Sequence, residues 1–528
     1  MTPLEYIWAG VLAVFASDPL ISLFGWGIPS ALVMVLLGFF VGVVVGATPG
    51  LAGPMAMAVS LPILISIFGY EPSALLPVMG FLIGVMKGAT VGGAVPAILF
   101  NTPGTPDAFL TTQDGFPMTG RGQGTKALRV AHFSSVSGDT FSDMVLFIGA
   151  PFLAVFVERW LDLPEKTALI ILSLAFIAAV VGSSPARGLI SASLGMLVAY
   201  VGTGEDFYPR LSLGFDGVAN GFPVVAVILG VLIIGEVFKS IEDMVREGIA
   251  EADRQRVGEV GDQRLRWHER KRLLPYIGRS AVIGTAIGAL PGVGSTLAAT
   301  LGYAAGKRRY AKRNPGEAGF GSGLAEGVAS TEGANSAVSG ANLIPVLSLG
   351  IPGNAAAVFL ILATDSIGGF NPGPSVFRFD AQSVNSELVM AFGLFTLMVI
   401  ANLANWTVGG TVMRYMGIMA RVPRQLLMPS VLLVTLTAIY VQEAALSAVY
   451  VTLAFGALGY LMRRLDVSVL PFVIAFILAG SLEQTARQAF AATGSDPWFL
   501  FNNPLALAFI VIAVVIVVRL GFRKTPDV

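Results

Sequence analysis

The chain has 528 residues, of which 55% are hydrophobic and 12% charged, and its formal net charge at pH 7 is +0. A soluble protein carries roughly twice this charged fraction, so the composition, with a mean hydropathy of +0.76, indicates a membrane protein. The balanced charge provides no overall attraction to nucleic acid, and a chain without cysteine and with only His132 and His268 has no thiol chemistry and no His-rich metal site.

Stretches without charge and of spanning length occur along the chain, for example 28–46, 217–235 and 503–518. About 20 apolar residues are enough for a helix to cross the hydrocarbon core, and we interpret these stretches as membrane spans. The N-terminus lacks the basic region of a cleaved signal peptide, so its first apolar stretch is predicted to be a retained helix.

A glycine-proline pattern interrupts the apolar sequence twice in the first half of the chain and at two corresponding places in the second half. The sequence 46–50 (GATPG) reappears as 288–292 (GALPG), and 101–104 (NTPG) reappears as 350–353 (GIPG). The offsets, 288 − 46 = 242 and 352 − 103 = 249, show that the second half follows the first with small insertions. Breaks at matching points of two halves are the best indication that a sequence offers of a transporter binding site.

Basic residues in matching loops predict that the two halves are inverted in the membrane. The loop 69–72 has no cation, whereas its counterpart 307–313 (KRRYAKR) is strongly basic. The loop 121–129 carries three cations, whereas its counterpart 365–374 has none. Because basic loops stay in the cytoplasm, equivalent loops lie on opposite faces, which requires an odd number of crossings in each half.

The predicted fold is an all-α integral membrane protein of about 12 spans, with two inverted repeats that contain re-entrant hairpins and broken helices. The hairpins are placed at 28–68 and 277–306, and the arms of the second, of about 13 residues, are too short to span at about 1.5 Å per residue. The predicted regions are 1–26 (N-terminal helical segment), 27–240 (first repeat), 241–276 (cytoplasmic linker), 277–500 (second repeat) and 501–528 (C-terminal helix and tail).

The longest motifs are similar to those of one known family. They are 46–62 (GATPGLAGPMAMAVSLP), 92–115 (GGAVPAILFNTPGTPDAFLTTQDG), 288–294 (GALPGVG) and 320–353, which contains GVASTEGANSAVSGANLIPVLSLGIPG. On these residues the chain closely resembles the large membrane subunit of the tripartite tricarboxylate transporters, and the likeness extends over nearly the whole sequence.

The resemblance implies a secondary transporter, not an enzyme, that imports a small carboxylate of the di- or tricarboxylate class with an ion gradient. It implies two protein partners, a small four-helix membrane subunit and a periplasmic binding protein that delivers the substrate. It also implies a multi-pass protein of the bacterial inner membrane, and the basic residues place the C-terminus in the cytoplasm. No cofactor is expected, and the coupling ion is Na⁺ or H⁺.

The first pair of breaks predicts cation sites. A broken helix exposes C=O groups that suit a hard cation such as Na⁺ and N–H groups that suit an anion. The candidate residues are Gly46, Pro49 and Gly50 in the first half, and Gly288, Pro291, Gly292, Ser295 and Thr296 in the second. The alternative is that these residues only permit tight turns and close packing.

The second pair of breaks predicts the substrate site, because side-chain amides and hydroxyls there can donate hydrogen bonds to a carboxylate. The candidate residues are Asn101, Thr102, Pro103 and Gly104 in the first half, and Gly350, Pro352, Gly353 and Asn354 in the second. The alternative is helix capping, since Asn and Thr commonly precede a helix.

Lys87 and Glu332 are ionisable residues within apolar or small-residue sequence, where a charge is costly and marks function by default. Lys87 is predicted to attract the substrate or to neutralise a buried acid such as Glu332; the alternative is a lysine at the end of a span that reaches water. Glu332 and Asn335 share one helical face. Glu332 is predicted to bind Na⁺ or a proton and Asn335 the substrate, with an interhelical hydrogen bond as the alternative.

Transport is expected to move the site-bearing group against a scaffold formed by 130–240 and 385–485, by analogy with other hairpin-containing carboxylate carriers. An anion channel, or a uniporter without a binding protein, has the same sequence features. A membrane-embedded enzyme is disfavoured because no nucleophile–base pair, paired-acid motif or metal cluster is evident. The acids after the second breaks, Asp107, Asp114 and Asp365, are interpreted as solvated hairpin tips rather than gates.

Overall fold

The computed structural model describes residues 2–23, 26–48, 51–101, 106–180, 184–203, 209–211, 221–247, 263–291, 294–378, 384–417 and 424–521. These residues are mainly helical, as predicted, with two short antiparallel β-hairpins that the sequence did not predict. Seven helices in the described part of the chain are long and apolar enough to cross a membrane, and apolar helices of 10–17 residues accompany them. The total of about 12 spans and the inverted orientation of the halves stay predictions.

The first half of the chain contains eleven helices and four strands among the described residues. They are α1 (Pro3–Phe15), β1 (Pro19–Leu23), β2 (Trp26–Pro29), α2 (Ser30–Gly46), α3 (Gly53–Phe68), α4 (Leu75–Gly92), α5 (Ala94–Phe100), α6 (Phe109–Gly120), α7 (Gly124–Trp160), α8 (Leu163–Val180), α9 (Pro185–Ala199), β3 (Gly202–Thr203), β4 (Pro209–Arg210), α10 (Val224–Leu229) and α11 (Gly235–Glu247). Short 3₁₀ helices, Pro72–Ala74 and Pro106–Ala108, precede α4 and α6, and a π-helical turn, Gly230–Ile234, joins α10 to α11.

The second half continues with twelve helices among the described residues. They are α12 (Trp267–Gly288), α13 (Gly294–Arg313), α14 (Ala325–Ala341), α15 (Leu343–Leu349), α16 (Ala355–Ile367), α17 (Ser386–Ala404), α18 (Gly410–Tyr415), α19 (Arg424–Glu443), α20 (Leu446–Arg464), α21 (Val469–Ala492), α22 (Phe499–Asn502) and α23 (Pro504–Gly521). A 3₁₀ helix, Pro374–Phe377, precedes α17, and a π-helical turn, Asn405–Gly409, joins α17 to α18.

The chain forms two compact units. The first consists of Met1–Ala154, Glu247–Leu290 and Gly294–Leu427, and the second of Val155–Arg246, Pro291–Val293 and Met428–Val528. In the first unit α17 packs on α1, α2 and α4, although it was predicted to start the second scaffold segment. In the second unit α21 and α23 pack on α8 and α9, and α20 packs on α10 and its π-helical turn.

The same order of helices occurs twice in the first unit. A helical pair, a long helix, a seven-residue helix and a further helix follow one another as α2 to α6 and again as α12 to α16. Asn101 (φ 54°) and Gly350 (φ 71°) end α5 and α15 in the left-handed conformation. Their separation (350 − 101 = 249) is the offset that the glycine-proline motifs predicted.

Close packing of α2 on α4 follows from glycines that recur every four residues on both helices. A methyl group on Gly84 or Gly88 would collide with the backbone of Val35 or Phe39. α12 packs on α14 in the same manner, with Gly284 against the backbone of Ala334. Small residues let helix backbones approach and gain dispersion contacts, which is how helices associate in lipid.

The arms of the second hairpin are longer than predicted. α12 has 22 residues and α13 has 20, which correspond to about 33 and 30 Å at 1.5 Å per residue. The apolar sequence is shorter because charged residues form the first turns of α12 and the last turns of α13, and these residues also adopt helical conformation. Neither α12 nor α13 is among the described helices that are long and apolar enough to cross a membrane, so the re-entrant form of this hairpin stays a prediction.

Candidate functional site

Lys87 of α4 lies at the centre of a buried ionic cluster. The residue is 1% exposed, and its Nζ lies 2.8 Å from Asp139 Oδ1 and 2.7 Å from Asp143 Oδ2. A buried ammonium needs such partners, because an unpaired charge in apolar surroundings is very costly. Lys87 thus pairs with buried acids, as one of the two predictions for it proposed. The acids are Asp139 and Asp143 rather than Glu332. A contact of Lys87 with substrate stays a prediction.

Two neutral side chains complete this cluster. Ser339 of α14 donates a hydrogen bond to Asp139 Oδ1, and Asn402 Nδ2 of α17 donates to Asp143 Oδ2 at 2.7 Å. Asp143 Oδ1 and Asn402 Oδ1 are buried and have no hydrogen-bond partner among the described residues. We call the five residues Lys87, Asp139, Asp143, Ser339 and Asn402 the Lys87 cluster.

Glu332 of α14 forms a second buried polar site. The residue is 0% exposed, and its two carboxyl oxygens accept hydrogen bonds from Thr111 Oγ1 of α6 and, at 3.0 Å, from Ser135 Oγ of α7. No lysine, arginine or histidine forms an ion pair with it in the described part of the chain. A buried carboxyl group held only by hydroxyls is costly, and binding of a cation or a proton by Glu332 stays a prediction.

The two polar sites lie along one contact between α7 and α14. Each helix contributes polar groups whose spacing places them on one face. These groups are Ser135, Asp139 and Asp143 on α7, and Glu332 and Ser339 on α14. Gly138 of α7 approaches Gly333 of α14 so closely that a methyl group on Gly138 would collide with the Gly333 carbonyl oxygen. Polar groups are therefore enclosed between two helices in direct contact.

α14 is helical because it is enclosed by other helices. Its sequence, AEGVASTEGANSAVSGA, is rich in glycine, serine and threonine, which have modest helix propensity. All its residues except Ala325 are buried, and it packs on α12, α13, α6 and α4. Small side chains permit this packing, and the polar ones, including Asn335, are buried with it.

The first breaks are partly within the described residues. Gly46 and Gly288 are the last residues of α2 and α12, and methyl groups there would collide with Ala89 of α4 and with Val338 and Ala341 of α14. Close packing thus accounts for both glycines. Pro49, Gly50 and Gly292 lie outside the described residues, whereas Pro291 and Ser295 are half-buried and Thr296 is exposed.

At the second breaks the structure describes the flanking helices. Asn101 is exposed at the end of α5, and Thr102, Pro103 and Gly104 lie outside the described residues. In the second half Pro352 and Gly353 are buried, and Asn354 Oδ1 accepts the N–H group of Ala357 at 2.9 Å. Asn354 therefore caps α16, which was the structural alternative for this residue type. Binding of substrate by these residues stays a prediction.

Breaks from opposite halves lie close to one another. Thr296 Oγ1, after the first break of the second half, donates a hydrogen bond to Asp107, after the second break of the first half. Likewise α3, which follows the first break of the first half, packs on α16, which follows the second break of the second half. Each predicted cation region is thus beside the predicted substrate region of the other half.

The prediction that Asp114 is a solvated tip is wrong. Asp114 is 0% exposed, and its Oδ1 accepts the N–H groups of Gly321 and Gly323 at 2.9 Å and of Leu324 at 2.8 Å. Its Oδ2 accepts the Tyr303 hydroxyl at 2.9 Å. The carboxylate fastens the segment before α14 to α6, so its role is structural.

Asp139 and Asp143 are the residues that sequence reasoning missed. They are four residues apart in the apolar α7, and the rule that marked Lys87 as a functional candidate applies equally to them. Nothing local in the sequence indicates that they face Lys87, because 52 and 56 residues separate them from it. The spacing of four, which places both acids on one face, was the available signal.

Outside the apolar part of α12, Glu269 forms an ion pair with Lys126 at the start of α7 and accepts the N–H group of Arg266 at 2.8 Å. Burial alone would raise the pKa of the Glu269 carboxyl, but these donors outweigh it and the pKa lies below its ordinary value. Glu269 therefore stays ionised at neutral pH and joins the two helices.

Comparison with known proteins finds sequence similarity over most of the chain. The sequence model described as "Tripartite tricarboxylate transporter TctA family" matches residues 32–474. An uncharacterised 52.8 kDa protein of Agrobacterium vitis from the TAR-I ttuC′ 3′ region is 30% identical over 501 residues, 93% of each chain. An uncharacterised protein from the TAR-II ttuC′ 3′ region of the same organism is 29% identical over 235 residues, 44% of this chain and 92% of its own. No solved structure matches.

Proposed function

Because the chain belongs to the tripartite tricarboxylate transporter TctA family, we propose that it is the large membrane component of a secondary transporter that imports a small carboxylate. A gradient of Na⁺ or H⁺ drives the import, a periplasmic binding protein delivers the substrate, and a small four-helix subunit completes the membrane complex. The complex lies in the bacterial inner membrane, with the C-terminus of this chain in the cytoplasm.

The observation that carries this proposal is that charged side chains are buried between α4 and α7, which are both long and apolar enough to cross a membrane. Lys87 and its partners Asp139 and Asp143 are almost fully buried between α4 and α7, and Glu332 lies on the same α7–α14 contact. Burial of such groups is expensive, and their usual role in membrane proteins is to handle ions or charged solutes. A protein that only organised an assembly would gain nothing from them.

In this proposal the two pairs of helix breaks bind different ligands. The carboxylate binds at the second breaks, through Asn101–Gly104 and Gly350–Asn354, with Asn335 nearby on α14. The coupling cation binds at the first breaks and at Glu332. Support comes from the contact between Thr296 and Asp107, which brings a first break beside a second break.

Transport proceeds in this proposal by movement of the site-bearing helices as a body. The first unit contains both helical pairs and both broken helices, which suits an elevator-like movement. The support is an analogy with other hairpin-containing carboxylate carriers.

Uptake by proteoliposomes that contain both membrane subunits and the binding protein tests the proposal. Labelled tricarboxylates, dicarboxylates and aromatic carboxylates are supplied while Na⁺ and pH gradients are imposed separately. We expect saturable accumulation above the external concentration that requires one gradient and the binding protein. An anion channel or a uniporter would instead equilibrate its solute without either, and that result would refute the proposal.

A further inference from the structure

We infer that Asp143 and Asn402 of the Lys87 cluster form a binding site for one monovalent cation, a proton or Na⁺, distinct from the helix breaks and from Glu332. The site follows from the charges and contacts of the cluster. Its role as a coupling site rests on the proposed function, whereas cation binding itself does not.

The charges of the cluster do not balance. One ammonium group, that of Lys87, faces the carboxylates of Asp139 and Asp143 at 2.8 and 2.7 Å. The other groups that face the two acids are neutral: Ser339 and Gly340 from α14, and Asn402 from α17. With all groups ionised the cluster has one uncompensated negative charge in a buried place, which is strongly unfavourable. One monovalent cation restores neutrality, whereas a divalent ion would exceed it.

Two buried acceptor atoms mark where this cation binds. Asp143 Oδ1 and Asn402 Oδ1 have no donor among the described residues, although they belong to side chains that are hydrogen-bonded to each other at 2.7 Å. Rotation of the amide cannot supply the donor, because its Nδ2 already donates to Asp143 Oδ2. Two buried oxygen acceptors without a donor, on side chains that are hydrogen-bonded to each other, suit a proton or a hard cation such as Na⁺.

Gly340 lets Asp143 pack directly against α14. A methyl group on Gly340 would collide with Asp143 Oδ1 and would lie 2.7 Å from Ser142 Oγ. The Asp143 carboxylate therefore occupies the place that a side chain at position 340 would need, and a larger residue there must displace it.

Glu332 differs from Asp143 in this respect. Both of its carboxyl oxygens accept hydrogen bonds from hydroxyls, those of Thr111 and Ser135. Glu332 therefore has no carboxyl oxygen without a hydrogen-bond donor. The unpaired oxygens of Asp143 and Asn402 are a separate observation, which the predicted cation residues do not explain.

Cation binding by the purified full-length chain in lipid nanodiscs tests the site without any substrate. The probes are ²²Na⁺ itself and the pH, with thermal unfolding measured in NaCl against choline chloride. Asp143→Asn leaves a neutral Lys87–Asp139 pair, so we expect this variant to fold and to lose the cation response. If the ligand is Na⁺, the variant binds one Na⁺ fewer per chain.

If the ligand is a proton, the wild type loses stability relative to Asp143→Asn as the pH rises, because the folded wild type holds one proton more than the unfolded chain. The folded-to-unfolded ratio falls by about tenfold per pH unit while the folded protein holds the proton and the unfolded chain has lost it, and it becomes constant once the folded protein also releases the proton. An Asp143→Asn variant that keeps the full Na⁺ binding and the full pH response of the wild type would overturn the inference.

A second pair of variants tests the site without any change of charge. Gly340→Ala would displace Asp143 Oδ1 from its position against α14, and we expect cation affinity to fall by about tenfold or more, which corresponds to about 1.4 kcal/mol. Gly333→Ala is the matched control on α14, because its methyl group would have its nearest neighbour at an ordinary 3.5 Å. Equal cation affinity in both variants would contradict the inference. Binding with these properties in a complex that shows no gradient-driven uptake would refute the proposed function and leave the cation site intact.

Discussion

The Arg121 guanidinium donates a hydrogen bond to the carbonyl oxygen of Gly323, which joins a basic loop of the first half to the segment that follows the basic end of α13. On other loops of the same unit Gly369 lies against Pro72, where a methyl group on Gly369 would lie 3.0 Å from Pro72 Cβ. Basic regions from the two halves are thus neighbours, and so are regions without cations. Inverted halves would produce this pairing, because the positive-inside rule assigns one face to each pair.

The orientation of these loops can be measured directly, because the chain has no cysteine. Single cysteines at the exposed positions Glu71 and Asn371 are expected to react with a membrane-impermeant maleimide from the periplasmic side only. Cysteines at the exposed positions Gly120 and Lys312 are expected to react from the cytoplasmic side only. The unmodified chain is the control for background labelling, and reaction of Glu71→Cys and Lys312→Cys from the same side would rule out inverted halves.

Replacement of Lys87 is expected to destabilise the protein strongly. Lys87→Met would leave Asp139 and Asp143 buried without a cationic partner, and the loss of one member of a buried ion pair costs about 3–5 kcal/mol. Denaturant unfolding in nanodiscs measures this change. The triple variant with Asp139→Asn and Asp143→Asn removes the buried charge as well and is expected to recover most of the loss. A single variant as stable as the wild type would show that these carboxylates are not ionised together.

The landmarks that the sequence predicted well depend on local signals. Glycine and proline restrict the backbone at their own positions, so the motif offset located the left-handed residues Asn101 and Gly350 and the helix ends at Gly46 and Gly288. The repeated order of helices follows from the same motifs. These features need no knowledge of tertiary contacts.

The features that could not be predicted depend on which helices meet. The partners of Lys87 come from α7, and the donors to Asp114 come from the segment before α14; both require contacts across many residues of sequence. Likewise, the predicted second hairpin starts ten residues after the first residue of α12, because hydropathy indicates where a helix is apolar, whereas charged residues can continue the same helix.

Asp114 is expected to be essential for the order of the segment before α14. Asp114→Ala would leave the N–H groups of Gly321, Gly323 and Leu324 without their acceptor, at a cost of about 3 kcal/mol or more, because hydrogen bonds to a charged group contribute about 1.5–3 kcal/mol each. Hydrogen exchange of 314–324 is expected to increase. Asp365→Ala, at an exposed position, is the control and is expected to have little effect; equal exchange in both variants would contradict the structural role of Asp114.

Packing of α2 on α4 predicts opposite effects for two glycine substitutions in helices. Gly88→Ala would place a methyl group against the Phe39 carbonyl oxygen, and overpacking of this kind costs about 1–3 kcal/mol. Gly278→Ala is in the interior of α12 with no atom within 4 Å of the added methyl group. It is expected to be neutral or to stabilise the helix by up to about 1 kcal/mol. Comparable destabilisation by both variants would mean that helix geometry, not the α2–α4 contact, is responsible.

Glu332 provides the test that separates a cation site from an interhelical hydrogen bond. Glu332→Gln keeps the shape of the side chain and can still bond with Thr111 and Ser135, so we expect stability to change by less than about 1 kcal/mol. It cannot bind a proton or carry a negative charge, so gradient-driven accumulation in the proteoliposome assay is expected to fall by about tenfold or more. Thr111→Val is the matched control, because it removes one of the two hydrogen bonds and keeps the carboxyl group. If Glu332→Gln accumulates substrate as the wild type does while Thr111→Val is destabilised, Glu332 serves to hold α14 against α6 and α7, and the coupling cation binds elsewhere.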